Sequence, residues 1–145
     1  MEIPFTWIDL EFIGRIILSA ILGAIIGFER EIRHKPAGLR THMFICMGST
    51  LFTISSLYLI PSYTGQLVDV TRIAAGIVTG TAFIGAGSII AFKEDVKGLT
   101  TAASLWVIGA IGLMVGIGNY LFPIVATIIA FIILRFGPVV EKKVK

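Results

Sequence analysis

Five long apolar runs, separated by short polar segments, restrict what this chain can fold into. A helix needs about 20 mostly apolar residues to cross the hydrocarbon core of a bilayer. The runs predict five membrane-spanning helices, at residues 12–28, 41–60, 73–92, 99–117 and 120–136. Only 14% of the residues are charged and 56% are hydrophobic, which is more apolar surface than a soluble domain of 145 residues can bury. The sequence therefore predicts an all-α, polytopic membrane protein, with residues 1–145 forming a single transmembrane domain.

Basic residues are distributed unevenly among the loops, and this asymmetry predicts the orientation of the chain. Loops rich in lysine and arginine face the cytoplasm in most membrane proteins. The first loop, the third loop and the C-terminal tail hold most of the positive charge: Arg30, Arg33, Lys35, Arg40, Lys93, Lys97, Lys142, Lys143 and Lys145. We therefore expect these segments to be cytoplasmic and the N-terminus to lie outside, in agreement with an odd number of crossings.

Small residues recur every four positions in three of the predicted helices, a spacing that lets helix backbones approach closely in lipid. They are Ser19, Gly23 and Gly27 in the first helix, Gly76 and Gly80 in the third, and Gly112 and Gly116 in the fourth. One interpretation is tight packing inside one bundle. The other is that one of these faces forms the seam of a homo-oligomer, of which a dimer is favoured.

The third predicted helix contains a second glycine cluster, Gly85 and Gly87, followed by Ser88. Unwound backbone at membrane depth forms the ion sites of many transporters. These residues could therefore mark a break beside an ion path along this helix, to which Arg72 also belongs, or they could serve only close packing.

Two similar corners open the second and fourth predicted helices, each after a basic loop. They are Gly38-Leu39-Arg40-Thr41 and Gly98-Leu99-Thr100-Thr101. Threonine is a suitable N-cap, and a helix N-terminus attracts anions. With Glu29, Arg30 and Lys97 nearby, the corners predict a cytoplasmic site for a phosphate, a lipid head group or an acidic partner. The alternative is ordinary capping by Thr41, Thr100 or Thr101, with charges that only set the topology.

Charged side chains near the membrane offer few other candidates. Arg15 is expected to snorkel to the outer interface or to pair with Glu11, four residues earlier. Glu29 and Asp95 are weak candidates for magnesium, which prefers oxygen ligands.

Metal and enzyme signatures are missing from the sequence. His42 is expected at the interface, without a partner at metal-site spacing, and the single cysteine, Cys46, is expected to be a packed small side chain. A nucleophile motif and a phosphate-binding loop are both absent. The sequence therefore predicts no enzyme, no cofactor and no nucleic-acid partner.

Three ordered sequence blocks carry a family resemblance. They are Gly27-Phe28-Glu29-Arg30-Glu31 with Ala37-Gly38-Leu39-Arg40-Thr41, Arg72-Ile73-Ala74-Ala75-Gly76-Ile77-Val78 with Phe83-Ile84-Gly85-Ala86-Gly87, and Val96-Lys97-Gly98-Leu99-Thr100-Thr101-Ala102-Ala103 with Trp106. Together they resemble the bacterial MgtC/SapB membrane family. The resemblance implies a multi-pass protein of the bacterial inner membrane, linked to growth at low magnesium. We expect this chain to be without the C-terminal cytoplasmic domain of those members, and it has Thr100 where some carry asparagine.

The expected function is that of a non-enzymatic membrane protein of the MgtC/SapB type, connected to magnesium or ion homeostasis. It would act by contacting other membrane proteins through the basic corners around Arg30, Arg40 and Lys97. The alternative is a transporter or channel for magnesium or another ion, with its path along the glycine-rich third helix and Glu29 and Asp95 at its mouth. A structural lipid-binding protein is a third class.

Overall fold

The computed structural model describes residues 7–65, 69–92 and 95–144. Its helices are α1 (Trp7–Ile32), α2 (Leu39–Ile54), α3 (Ile60–Thr64), α4 (Val70–Ala86), α5 (Leu99–Ile117) and α6 (Leu121–Val144). A π-helical turn at Ser55–Leu59 joins α2 to α3, and two short strands, β1 (Ile90–Phe92) and β2 (Asp95–Lys97), lie between α4 and α5. Among the described residues, four stretches are long and apolar enough to cross a membrane: Trp7–Ile32, Leu39–Leu59, Leu99–Ile117 and Leu121–Val140.

The predicted helical, multi-pass architecture is confirmed, and a small β-hairpin is added to it. The orientation of the chain stays a prediction, and two of the lysines behind it, Lys93 and Lys145, lie outside the described residues. We call the end of the bundle where α1 ends and where α2 and α5 begin the basic end. The C-terminal half of α6 reaches the same end, since Arg33 donates a hydrogen bond to the carbonyl oxygen of Arg135 at 3.2 Å.

Helices α1, α2 and α5 form the centre of the bundle. Small residues let their backbones approach, and apolar side chains fill the space between them. The buried cluster also includes one residue of α6, and its members are Leu22, Ile26, Cys46, Ile108, Ile111, Val115 and Leu134. Helix α4 packs mainly on α5 and touches α2 very little, so it stands at the edge of the bundle.

The third predicted helix is shorter than the sequence indicates. The prediction of a helix over residues 73–92 is wrong at its end, because α4 stops at Ala86 and residues 90–92 pair with residues 95–97 in an antiparallel hairpin. Ser88 helps to terminate α4, since its backbone nitrogen and its hydroxyl both donate to the carbonyl oxygen of Gly85. With 17 residues, α4 is at the lower limit of length for a membrane-spanning helix.

The predicted threonine caps are also wrong. Helix α2 begins at Leu39 after Gly38, and its first free N–H donates to a carboxylate oxygen of Glu31 at 2.9 Å. Helix α5 begins at Leu99 after Gly98, without a side-chain cap. Gly98 has a φ of 96°, and a Cβ there would collide with the carbonyl oxygen of Ser88, so the turn from hairpin to helix requires glycine.

A tight hairpin joins α5 to α6, as the short connection predicts. Gly118 ends α5 in the left-handed conformation, and the backbone nitrogen of Asn119 reaches back to the carbonyl oxygen of Met114 at 3.1 Å. The Asn119 side chain then accepts a hydrogen bond from the backbone nitrogen of Phe122, which caps α6. The carboxyl end of α5 lies next to the N-terminal half of α1, since Arg15 donates a hydrogen bond to the carbonyl oxygen of Gly116.

Candidate functional site

At the basic end, a buried ion pair joins two neighbouring residues of α1. Glu29 is 4% exposed and Arg30 is 2% exposed. The Arg30 Nε atom donates to Glu29 Oε2 at 2.7 Å, and Arg33 Nε lies 3.3 Å from Glu29 Oε1 without forming a hydrogen bond. Arg30 was predicted to belong to an exposed contact surface, and this prediction is wrong because the side chain is buried against its own carboxylate partner.

His42 connects α2 to α5 beside this pair. The residue is fully buried in the bundle, and its position at the depth of the membrane interface stays a prediction. Its Nδ1 atom donates to the carbonyl oxygen of Gly38 at 2.8 Å, and its Nε2 atom lies 3.0 Å from the hydroxyl of Ser104. Ser104 in turn donates to the carbonyl oxygen of Thr101 at 2.8 Å. The imidazole therefore holds the first turns of two helices together.

The residues predicted for an anion site differ in their exposure. Arg40, Lys97 and Thr100 are exposed, Thr41 is half-buried, and Thr101 is buried. At the start of α2, the Glu31 carboxylate already occupies the position that an anion would take at the helix N-terminus. The predicted site at this corner is therefore satisfied by the protein itself, and what remains is a surface of exposed cations.

Two of the candidate magnesium ligands, Glu29 and Ser88, are each bonded within the protein. Glu29 faces the arginines of α1, and Ser88 donates to the backbone of its own helix. Asp95 lies in β2, where the structure describes the backbone only. Within the described ranges, no group of three or more histidine, cysteine or acidic residues could hold a metal ion.

The opposite end of the bundle holds a second buried charge, Arg15, which is 6% exposed. Its Nη2 atom lies 2.6 Å from Glu11, so the predicted pairing is confirmed, whereas snorkelling to the interface is wrong. Its Nη1 atom donates to the carbonyl oxygen of Gly116 at 2.7 Å. The guanidinium carbon also lies 5.5 Å from the ring centre of Phe12 and 5.0 Å from that of Tyr58.

Arg15 and Tyr58 cap the carboxyl end of α5 with side chains from other helical segments. Tyr58 comes from the π-helical turn and donates to the carbonyl oxygen of Ile117 at 2.9 Å, next to the carbonyl that Arg15 binds. The last carbonyls of a helix lack partners within the helix and carry partial negative charge. The spacing of Glu11 and Arg15 indicates the ion pair in the sequence, but no local pattern indicates that Tyr58 and Gly116 complete it.

The glycine pairs differ in what they contact. A Cβ on Gly23 would lie 2.8 Å from the carbonyl oxygen of His42, and one on Gly27 would lie 2.8 Å from the Cα atom of Leu39. On α5, a Cβ on Gly116 would lie 2.5 Å from the Cβ atom of Thr53. A Cβ on Gly112 would collide with the carbonyl oxygen of Cys46. These four glycines bring α1 and α5 against α2.

Gly76 and Gly80 of α4, by contrast, have no atom of the described residues within 4 Å of a Cβ position. They lie in an apolar groove of about 550 Å³ between α2 and α4. Further along α4, Gly85 lies against Ala102 of α5, and Gly87 follows the last residue of the helix. Arg72, near the start of α4, is exposed. Gly76 and Gly80 are therefore the glycine pair whose face remains open to a second molecule.

Four long apolar helices around a packed core, with one shorter helix at the edge, define a polytopic α-helical membrane protein. The chain belongs to the MgtC family, whose model it matches over residues 16–143. It is 47% identical over 130 residues to the putative magnesium transporter YhiD of Escherichia coli K12, covering 86% of this chain and 60% of that one.

Other relatives give the same assignment. The chain is 35% identical over 142 residues to protein SapB of Bacillus subtilis, covering 95% of this chain and 61% of that one. It is 41% identical over 118 residues to protein MgtC of Salmonella typhimurium, covering 81% and 48%. The chain thus spans about half to three fifths of the length of these relatives. No solved structure matches it significantly.

Proposed function

We propose that this chain is a non-enzymatic protein of the bacterial inner membrane that serves magnesium homeostasis by contacting other membrane proteins. The link to magnesium rests on membership of the MgtC family and on the name of the relative YhiD, a putative magnesium transporter. Those relatives are longer than this chain, so the proposal concerns the membrane domain that they share with it.

The packing of the bundle centre is the observation that favours contact over conduction. Apolar side chains fill the space between α1, α2 and α5, from the Glu29–Arg30 pair at one end to Arg15 at the other. Buried hydroxyls in this region bond to carbonyl oxygens of the helices, as Thr50 does to Gly112 at 2.8 Å. An ion that loses its water needs a line of oxygen ligands that are free to replace that water, and these hydroxyls are already bonded to the helices.

The surface proposed for contact is the basic end. Lys97 of the hairpin and Lys35 of the first loop are exposed there, as is Arg40. Arg30 is excluded because it is buried. A surface of this charge complements an acidic face on a partner and increases the rate of encounter more than the affinity.

Magnesium flux into liposomes that contain the purified protein separates the two functions. Under the contact proposal, flux equals that of empty liposomes. A saturable flux, abolished by Gly85→Leu in a protein that still inserts, would establish the transporter and overturn the proposal. Glu29→Ala is unsuitable as a transport variant, because it would leave Arg30 buried without its carboxylate partner.

Site-specific photo-crosslinking in native membranes tests the contact itself. A crosslinker at position 97 should capture a membrane protein, and the charge reversal Lys35→Glu should reduce that capture at low ionic strength. A crosslinker at position 129, in the exposed face of α6, is the matched control. Equal capture from both positions, or capture unaffected by charge reversal and by salt, would contradict a specific basic contact surface.

A further inference from the structure

The groove between α2 and α4 opens on the surface of a bundle that spans a membrane, so its mouth faces hydrocarbon. Phe44 and Phe52 of α2 and Ile73 and Ile84 of α4 line its walls. Glycines on both helices, Gly48, Gly76 and Gly80, leave space that side chains would otherwise fill, since none has an atom within 4 Å of a Cβ position.

The dimensions of the groove restrict its occupant. Its lining extends from Phe44 of α2 to Ser56 of the π-helical turn, which corresponds to about 18 Å of helix. The groove has a volume of about 550 Å³ along that length. A hydrocarbon chain is a single row of carbon atoms, which contact their neighbours at about 4 Å, and it fits.

The length of the groove also fits a lipid chain. The hydrocarbon core of a bilayer is about 30 Å thick, so one leaflet contributes about 15 Å. The groove is therefore about as long as one acyl chain in one leaflet. One end of the groove lies beside Phe44. Phe44 is in the second turn of α2, so this end of the groove is close to the basic end of the bundle.

A cation stands at that end of the groove. Arg40 lies four residues before Phe44, so the two side chains are neighbours on the surface of α2. Helical side chains lean toward the N-terminus, which directs Arg40 away from the groove and toward the bilayer surface. Arg40 is exposed, and no described carboxylate forms an ion pair with it. Glu31, at the same end, is bonded to the backbone of Leu39.

We propose that the groove between α2 and α4 binds one acyl chain of an anionic phospholipid, whose phosphate pairs with Arg40. The guanidinium fork matches phosphate oxygens, and exposed lysines at the same end favour an anionic leaflet. This inference goes beyond the contact function and does not depend on it. It assigns a ligand to the glycine face that α4 leaves open.

Native mass spectrometry of the full chain in detergent tests the head-group preference. Phosphatidylglycerol and phosphatidylcholine with identical acyl chains are added separately. The wild-type protein should retain one phosphatidylglycerol in preference to phosphatidylcholine, and Arg40→Gln should reduce that preference about fivefold, the effect of one charge near a membrane surface. Arg72→Gln, at the other end of α4, is the matched control and should keep it. A preference unchanged by Arg40→Gln would overturn the proposal.

A second variant tests the groove. Gly80→Leu should lower the retention of both lipids, whereas Gly14→Leu, which also enters open space but lies outside the groove, should not. Unchanged lipid retention in Gly80→Leu would overturn the proposal. Dissociation of a dimer by Gly80→Leu, without loss of lipid, would also overturn it and would make a second copy of the chain the occupant.

The wild-type protein provides a test that requires no variant. Phosphatidylglycerol that carries a photoreactive group in its acyl chain should label residues of the groove, such as Phe52, after irradiation in bilayers. Unlabelled phosphatidylglycerol in excess should suppress that labelling. Labelling spread evenly over the exposed faces of α4 and α6 would show ordinary solvation by lipid and would contradict a specific site.

Discussion

Helices α5 and α4 each carry glycines four residues apart, but the two helices differ in what lies against those glycines. Gly112 and Gly116 of α5 contact the backbone and side chains of α2, whereas Gly76 and Gly80 of α4 face an open groove. The same spacing therefore holds the core together in one helix and leaves a surface available in the other. Glycine spacing shows where a close approach can occur, and only the fold shows whether the partner belongs to the same chain.

The charges follow the same division between core and edge. Glu29, Arg30 and Arg15 are buried in the core and are paired within the chain. Arg72 of α4 and Arg40 at the groove are exposed. If this division is correct, substitutions in the core should cost stability, and equivalent substitutions along the groove should change binding and leave stability nearly unchanged.

The largest effect should come from the buried ion pair. Arg30→Gln leaves the buried Glu29 carboxylate with only its ion pair to Arg33, and we expect the free energy of unfolding to fall by up to about 3–5 kcal/mol. The double variant Glu29→Gln/Arg30→Gln should recover part of that loss, because it removes both charges. Unfolding in detergent by sodium dodecyl sulfate, followed by circular dichroism, measures the change. A stability loss in the double variant equal to the sum of the two single losses would show that the pair is not coupled.

The next effect compares the two glycine faces directly. Gly112→Ala places a Cβ against the backbone of Cys46, and we expect a loss of about 1–3 kcal/mol from overpacking. Gly80→Ala meets no atom within 4 Å and should be neutral or slightly stabilising, since alanine favours helix over glycine. The same unfolding measurement applies to both variants. Equal losses would mean that the face of Gly80 is covered within this chain.

Much of the core could be predicted from the sequence, since its signals are local. The prediction of a helix at 99–117 agrees with α5, because the apolar run is bounded by Gly98 before the helix and by Gly118 after it. The short apolar run at Ile90–Phe92 was predicted as helix and is a strand, because a run of that length has no periodicity that separates the two. Glu31 caps a helix eight residues away, and Tyr58 reaches Arg15 through a π-helical turn. Such contacts between distant residues leave no pattern within a sequence window.

A smaller effect should follow from changing Arg15 to lysine. Arg15→Lys keeps the positive charge but cannot bind Glu11 and the carbonyl oxygen of Gly116 in the same geometry. Losing one charge-assisted hydrogen bond predicts a decrease of about 1.5–3 kcal/mol, nearer the lower limit because the charge remains. Arg72→Lys, on the exposed face of α4, is the control and should change nothing. Full stability in Arg15→Lys would show that charge alone caps α5.

The smallest effect concerns the start of α4, at the edge of the bundle. Asp69 caps this helix, because its carboxylate accepts hydrogen bonds from the backbone nitrogen and the hydroxyl of Thr71 at 2.9 and 2.7 Å. These bonds, led by the one from the hydroxyl, lower the pKa of Asp69 below its usual value. A carboxylate with a lowered pKa in the folded state stabilises the fold above its unfolded pKa of about 4, and this contribution disappears as the pH falls through the folded pKa.

Protection of the Thr71 amide, measured by hydrogen exchange and corrected for the intrinsic pH dependence of exchange, should therefore decrease only under acidic conditions. Asp69→Asn retains a capping oxygen that does not titrate, so its protection should stay constant over the same range. An identical decrease in both proteins would place the titration elsewhere. A constant protection in the wild type would mean that the packing of α4 on α5, and not its cap, holds the first turn at the edge of the bundle.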